Sequence, residues 1–178
     1  MRKVVLCDIL GDPPADAVAA REDEVGDLST FSNREGADRL TSASACISCH
    51  RSINGLGYSF EGYDQLGARR PVEPLFDAQG NLVRTFPIDT SVTEPNIEWG
   101  GPTQLTGSNQ LVHALASSTK ARACYSRRMF EYYTLRQVDS AKDGCALADT
   151  EKKTGTNDLR TTLIDSIANE DIFWRKQP

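Results

Sequence analysis

The sequence predicts a mostly α-helical fold with one small β-hairpin and long loops. Apolar residues recur every three or four positions in several segments, which is typical of helices that bury one face. A stretch rich in Gly and Pro, residues 51–102, contains a turn between two short apolar runs, so we expect the hairpin there. Hydrophobic residues make up only 39% of the 178 residues, which is below the usual globular share and predicts a modest core.

The predicted helices lie on either side of that stretch. Ser32 or Asn33 is expected to cap the first helix, and Gly55 and Gly57 are expected to end the segment that follows it. Asn157 is expected to cap the last helix. The four predicted helices cover residues 34–50, 110–117, 120–137 and 158–174.

The remaining segments follow from turn and breaker residues. Clustered Gly and Pro near the N-terminus interrupt any helix, so residues 1–34 are predicted to be irregular. Residues 77–81 form a turn signal between Leu75-Phe76 and residues 82–86, which predicts the hairpin. Residues 90–102 are expected to form a loop.

Charge and hydropathy exclude two classes of partner. The formal net charge is −5, from 20 basic and 25 acidic residues, and the charges are interspersed without a Lys/Arg run. We therefore expect no nucleic-acid binding. No stretch approaches the roughly 18 consecutive apolar residues of a membrane-spanning helix, so we expect no transmembrane segment.

The most informative motif is Cys46-Ile47-Ser48-Cys49-His50, a C-x-x-C-H. Two thiols three positions apart on a helical turn can each add to one vinyl group of haem, and the next residue is then carried to the iron. The motif predicts one covalent haem c, with Cys46 and Cys49 as thioethers and His50 as the proximal iron ligand. A zinc site would need two more ligands, and a redox disulfide would need a βαβ context.

The motif and the breaks predict three parts of the chain. These are an irregular leading segment, a haem c-binding cytochrome-like domain and a helical tail packed on it, over residues 1–34, 35–137 and 138–178.

The second axial ligand of the iron is left open between three possibilities. His113 and Met129 are the His and Met residues that follow the motif. Met129 is equally suited to core packing, and His113 to a structural role. The third possibility is an open or externally filled position.

Residues after the motif are candidates for the surroundings of the haem. Arg69 and Arg70 could reach the propionates, since a guanidinium fork suits a carboxylate, or they could be solvated surface residues. Tyr58, Phe60 and Tyr63 could pack near the porphyrin or simply fill the core.

Haem attachment also predicts a location. It is completed outside the cytoplasm in bacteria, so we expect a periplasmic, extracellular or cell-surface protein. The apolar run over residues 4–7 is too short for the core of a signal peptide. We therefore expect the chain to be a piece of a longer exported protein.

Residues 46–70 read CISCHRSINGLGYSFEGYDQLGARR. They resemble the C-terminal cytochrome c-like region of large planctomycete and myxobacterial exported proteins of largely unknown function. In that region C-x-x-C-H is followed by Ile-Asp-Pro-x-Gly-Phe-like and Glu-x-Phe-Asp-x-x-Gly-like stretches and an Arg. Asn54 and Gly55 replace the usual Asp-Pro. The matching residues are Ile53, Gly57, Tyr58, Glu61, Tyr63, Asp64, Gly67 and Arg70.

The resemblance implies a cytochrome c-like haem domain preceded by other domains, and the motif favours electron transfer as its function. Redox proteins and upstream domains or subunits of the same assembly are then the expected partners. Two alternatives stay open. One is peroxide or oxygen chemistry at an open sixth position of the iron, and the other is a haem-bearing surface or assembly domain.

The resemblance also includes a helical tail with paired cysteines. We expect Cys124 to pair with Cys145, because a break at Asp143-Gly144 would let the chain turn back along the preceding helix. Cys7 would then be free or paired with an upstream segment. The alternative is that Cys124 and Cys145 are two buried free thiols.

Overall fold

A computed structural model of the chain describes residues 1–13, 17, 28–93, 95–98 and 104–168. Within these ranges the chain forms seven α-helices and two separate two-stranded antiparallel sheets, which confirms the predicted mostly α class with a small hairpin. The chain divides into two compact units. Unit 1 comprises Met1–Asp8 and Ser117–Pro178, and unit 2 comprises Ile9–Ala116. These bounds differ from those of the three predicted parts.

Unit 2 begins its regular structure with two helices, α2 (Asn33–Leu40) and α3 (Ser44–Tyr58). Ser32 caps α2 in a capping box, because its side chain accepts from the Glu35 backbone N–H while the Glu35 carboxylate accepts from the Ser32 N–H at 3.0 Å. The single helix predicted over residues 34–50 is wrong. The chain leaves α2 at Thr41, whose hydroxyl donates to the Ala37 carbonyl at 2.7 Å.

Helix α3 continues through Gly55 and Gly57 and does not end there as predicted. Gly55 does not end the helix but lies at a close contact, since a Cβ at this position would lie 3.3 Å from the Val92 side chain. The residue permits close packing of α3 against strand β3 (Ser91–Thr93).

The predicted hairpin is present as β1 (Val72–Phe76) paired with β2 (Leu82–Pro87). The side chain of Asp77 holds its turn by accepting from the backbone N–H groups of Gln79 and Asn81. Gly80 takes a φ of +83° in this turn, where glycine carries no steric penalty.

A second sheet pairs β3 with β4 (Gln104–Thr106) and corrects the loop predicted over residues 90–102. Buried Val92 of β3 pairs with buried Leu105 of β4. Strand β3 is therefore stabilised by residues that lie beyond the predicted loop. Residues 94 and 99–102 of the predicted loop lie outside the described residues. Helix α4 (Gly107–Ser117) follows β4.

Unit 1 begins with the short helix α1 (Arg2–Val5). The prediction that residues 1–34 are irregular is therefore wrong for this part. Residues 14–16 and 18–27 of the predicted segment lie outside the described residues. The unit's other helices have side-chain N-caps, which are Ser118, Asp139 and Asp158. Asn157 is therefore not the cap of the last helix. These helices are α5 (Thr119–Thr134), α6 (Ser140–Thr156) and α7 (Leu159–Ile167). Residues 169–174 of the last predicted helix lie outside the described residues.

Helix α6 runs without interruption through the predicted break at Asp143-Gly144. Asp143 is buried and receives two hydrogen bonds from the Arg136 guanidinium, at 2.7 and 2.8 Å. A third bond comes from the Asp139 N–H at 2.9 Å. The aspartate thus anchors the first turn of α6 to the connection between α5 and α6. Beside it, Phe130 and Ala146 form a small core.

The disulfide joins Cys7 to Cys124, with 5.3 Å between their Cα atoms. The predicted pairing of Cys124 with Cys145 is wrong, and Cys145 is a free, exposed thiol. The uninterrupted α6 gives the reason. Cys145 lies two residues after buried Asp143, which is about 200° around a helix, so it points away from the packed face. Helix α1 instead brings Cys7 to α5.

Candidate functional site

The C-x-x-C-H motif lies in the first two turns of α3. Residues on a helix are about 100° apart, so Cys46, Cys49 and His50 fall within an arc of roughly 100° on one face. Cys46 is half-buried and Cys49 is exposed, and neither forms a disulfide. Both thiols are therefore available for covalent chemistry beside the imidazole.

The imidazole of His50 is held by a residue one turn later on α3. Its Nδ1 lies 3.0 Å from Oδ1 of Asn54. Nδ2 of Asn54 donates to Oγ1 of Thr41 at 2.9 Å, and the Thr41 hydroxyl donates to the Ala37 carbonyl. The motif histidine is thus tied to the end of α2.

Tyr58 extends the same row of side chains by another turn. Its hydroxyl donates to Oδ1 of Asp38 at 2.5 Å, and the guanidinium carbon of Arg34 lies 4.4 Å from the centre of its ring. Burial raises the pKa of Tyr58, the hydrogen bond to Asp38 and the charge of that carboxylate raise it further, and a hydrogen bond from the Asn54 side chain opposes the rise. The phenol is therefore a stable hydrogen-bond donor between α2 and α3.

These side chains line a cavity of about 410 Å³ between α2, α3 and β3, within the usual size range of ligand pockets. Its wall combines apolar groups and Gly55 with the polar row and three charged groups. The lining residues are Arg34, Asp38, Ile47, His50, Arg51, Asn54, Gly55, Tyr58, Val92 and Thr93. Such a wall can contact both apolar and charged groups of a ligand.

The side chain of Arg34 is held beside the cavity by the start of β3 and by the residue two positions before it. It donates to the main-chain carbonyls of Asp89, at 2.7 Å, and Ser91, at 3.0 Å, and lies 3.1 Å from the Asp89 carboxylate. The sequence singled out neither Arg34 nor Arg51 for this place. Arg51 directly follows the motif and could have been found from that position, whereas Arg34 depends on how α2 packs.

The structure does not bring Arg69 and Arg70 to this cavity. Arg69 is exposed, and Arg70 donates to the Glu61 carbonyl at 3.1 Å while its guanidinium lies 3.5 Å from the Glu61 carboxylate. Tyr58 does line the cavity. Of the other aromatic candidates, Phe60 and Tyr63 are both exposed.

The two candidates for the second axial ligand lie elsewhere along the chain. His113 is exposed on α4 and is not among the residues that line the cavity. Met129 is half-buried on α5, which belongs to unit 1, whereas the motif belongs to unit 2.

Among the described residues, no group of three or more His, Cys, Asp or Glu side chains is placed to hold a metal ion. Across the same ranges, no helix has both the length and the apolar character needed to cross a membrane.

Residues 1–73 match the sequence profile of the family PSCyt3, described as "Protein of unknown function (DUF1588)". The match includes the C-x-x-C-H motif and ends within β1. It fits the resemblance to a planctomycete cytochrome c-like family, and the family's description names no function. No curated protein and no solved structure matches the chain.

Proposed function

We propose that this chain is a c-type haem-binding electron-transfer domain of an exported protein. One observation carries the proposal. Two free thiols and an imidazole share one face of α3, and that imidazole lines a cavity with cationic side chains. The spacing of these three groups is the spacing that covalent haem attachment requires.

The donor set fits haem c residue by residue. Cys46 and Cys49 would form the thioethers, and His50 would ligate the iron with the ring nitrogen that Asn54 does not occupy. Bound haem would supply a one-electron Fe(III)/Fe(II) couple whose potential depends on its ligands and burial. The chain needs to provide only one protein ligand at this position, so a cluster of metal-binding side chains is not required.

The two cationic side chains of the cavity would bind the propionates. Arg34 and Arg51 are its cationic side chains, and a guanidinium pairs well with a carboxylate. The role of Arg69 and Arg70 as propionate partners stays a prediction. So does the choice of His113 or Met129 as second axial ligand.

The disulfide supports placement outside the cytoplasm. Such bonds persist in the periplasm and in secreted proteins and are rare in a reducing cytoplasm. Cys7 and Cys124 are joined in this chain, and haem c attachment needs the same compartment. Redox proteins and neighbouring domains of the same assembly are the partners that an exported electron carrier would meet.

The proposal is tested by expression with the haem c attachment machinery, followed by mass spectrometry and a pyridine haemochrome assay. We expect one haem adduct in the wild-type chain, none in the Cys46→Ala/Cys49→Ala variant, and a full adduct in Cys145→Ala, which removes another exposed thiol. An unmodified wild-type chain would refute the proposal. Low-spin spectra of the adduct would favour electron transfer, and high-spin spectra would favour peroxide or oxygen chemistry.

A further inference from the structure

Asn54 is the residue through which α2 acts on the motif histidine. Its amide lies between the Nδ1 atom of His50 and the hydroxyl of Thr41, at 3.0 and 2.9 Å. It is half-buried and lines the same cavity as the imidazole. The orientation of this amide therefore decides which hydrogen bond the histidine can make.

The neighbours of Asn54 allow one orientation of the amide. The Thr41 hydroxyl proton is directed to the Ala37 carbonyl, at the C-terminal end of α2, so the Thr41 oxygen is an acceptor for Nδ2. The phenolic proton of Tyr58 is directed to Asp38, so the phenol does not compete for the amide oxygen of Asn54. Since an amide has two N–H donors and one carbonyl oxygen, Oδ1 must face the imidazole.

We infer that Asn54 is a positioning residue that holds neutral His50 with the proton on Nδ1 and the lone pair on Nε2. A carbonyl oxygen cannot donate, so the contact at Nδ1 forms only when that nitrogen carries the proton. Histidine ligands of metals commonly donate their second ring nitrogen to such an acceptor, which fixes the ring and raises its basicity. The helix pair thus prepares Nε2 as a ligand before any metal binds.

The tautomer can be measured without haem. The chain has only two histidines, so the nitrogen spectrum of the full chain labelled at histidine contains two imidazoles, and exposed His113 serves as an internal reference. At about pH 9, where free imidazole is neutral, we expect the Nδ1–H form for His50. A dominant Nε2–H form of His50 in the wild-type chain would overturn the inference.

Two variants separate positioning from general structural damage. Asn54→Ala should remove the preference for the Nδ1–H form. Thr41→Val should weaken the preference while Asn54 is present and should have no further effect once Asn54 is replaced, because both act through one chain of hydrogen bonds. Additive effects of the two substitutions on the tautomer ratio would contradict this.

A second readout rests on the proposed function. Asn54→Asp keeps an acceptor at Nδ1 and adds negative charge, so it should lower the reduction potential of the attached haem, whereas Asn54→Ala should raise it. Second-shell substitutions commonly change metal affinity by about tenfold or more, and a tenfold change in relative affinity for the two oxidation states corresponds to about 59 mV. Equal potentials in the two variants would reject this tuning role. Absence of any haem adduct would refute the proposed function and leave the tautomer measurement valid.

Discussion

The Cys7–Cys124 disulfide should be a major source of stability for the folded chain. It links residues 117 positions apart in sequence, so in the unfolded chain it closes a loop that includes all of unit 2. The chain-entropy relation for a loop of this length gives about 5 kcal/mol for complete unfolding. The pairing expected from sequence would have closed a much shorter loop, worth about 3 kcal/mol.

The assay is denaturation in guanidinium chloride followed by circular dichroism. Cys7→Ala should lower the free energy of unfolding by about 4–5 kcal/mol. The double variant Cys7→Ala/Cys124→Ala should lower it by little more than either single substitution does, because either one alone removes the cross-link. Reduction of the wild-type chain should reproduce most of the loss.

Cys145→Ala is the matched control, since this thiol is exposed and free. We expect it to unfold like the wild-type chain. Non-reducing peptide mapping should recover the peptide of Cys7 joined to that of Cys124. A cross-linked peptide that contains Cys145, or a Cys7→Ala variant as stable as wild type, would refute the reasoning.

Four smaller effects follow from individual residues. Asp143→Ala should destabilise unit 1 by about 2–3 kcal/mol, because it removes the buried partner of the half-exposed Arg136. An unchanged midpoint in a denaturant titration would contradict this. Ser32→Ala should lower the free energy of unfolding by about 1 kcal/mol through loss of the cap. Gly80→Ala should lower the free energy of unfolding by about 1 kcal/mol because Gly80 has a positive φ. Gly144→Ala should raise it by up to about 1 kcal/mol, because Gly144 is at an exposed helical position with open space around it. The midpoints of thermal melts should therefore shift in opposite directions for the two variants.

Local patterns predicted those elements whose stability is local. The hairpin follows from the turn at Asp77 and Gly80, whose side-chain and backbone preferences act within five residues. The wrong prediction at Asp143-Gly144 shows the limit. A glycine in a polar stretch normally signals a break, but the ion pair between Asp143 and Arg136 ties the first turn of α6 to the segment that follows α5.

In the candidate site, too, the part defined by local sequence was predictable, and the part that depends on tertiary packing was not. The motif from Cys46 to His50 is a local spacing pattern, so it can be recognised in the sequence directly. Arg34 and Thr41 reach the site only because α2 turns back against α3, and nothing in their local sequence indicates that approach. The arginines predicted from the sequence as propionate partners, Arg69 and Arg70, lie further along the chain, and Arg70 is engaged by Glu61.

Asn54 and Gly55, the two departures from the Asp-Pro of the resembled pattern, create features of this site. A proline at position 55 would lack the backbone N–H and would clash with the preceding turn, at a cost of about 3 kcal/mol inside a helix. Gly55 leaves α3 intact as far as Tyr58 and leaves room for Val92 at 3.3 Å from the missing Cβ. The continued helix then carries Tyr58 to Asp38, and Asn54 supplies the amide that links the motif histidine to α2. The two residues therefore act together, since the glycine extends the helix that presents the asparagine and the tyrosine in one row.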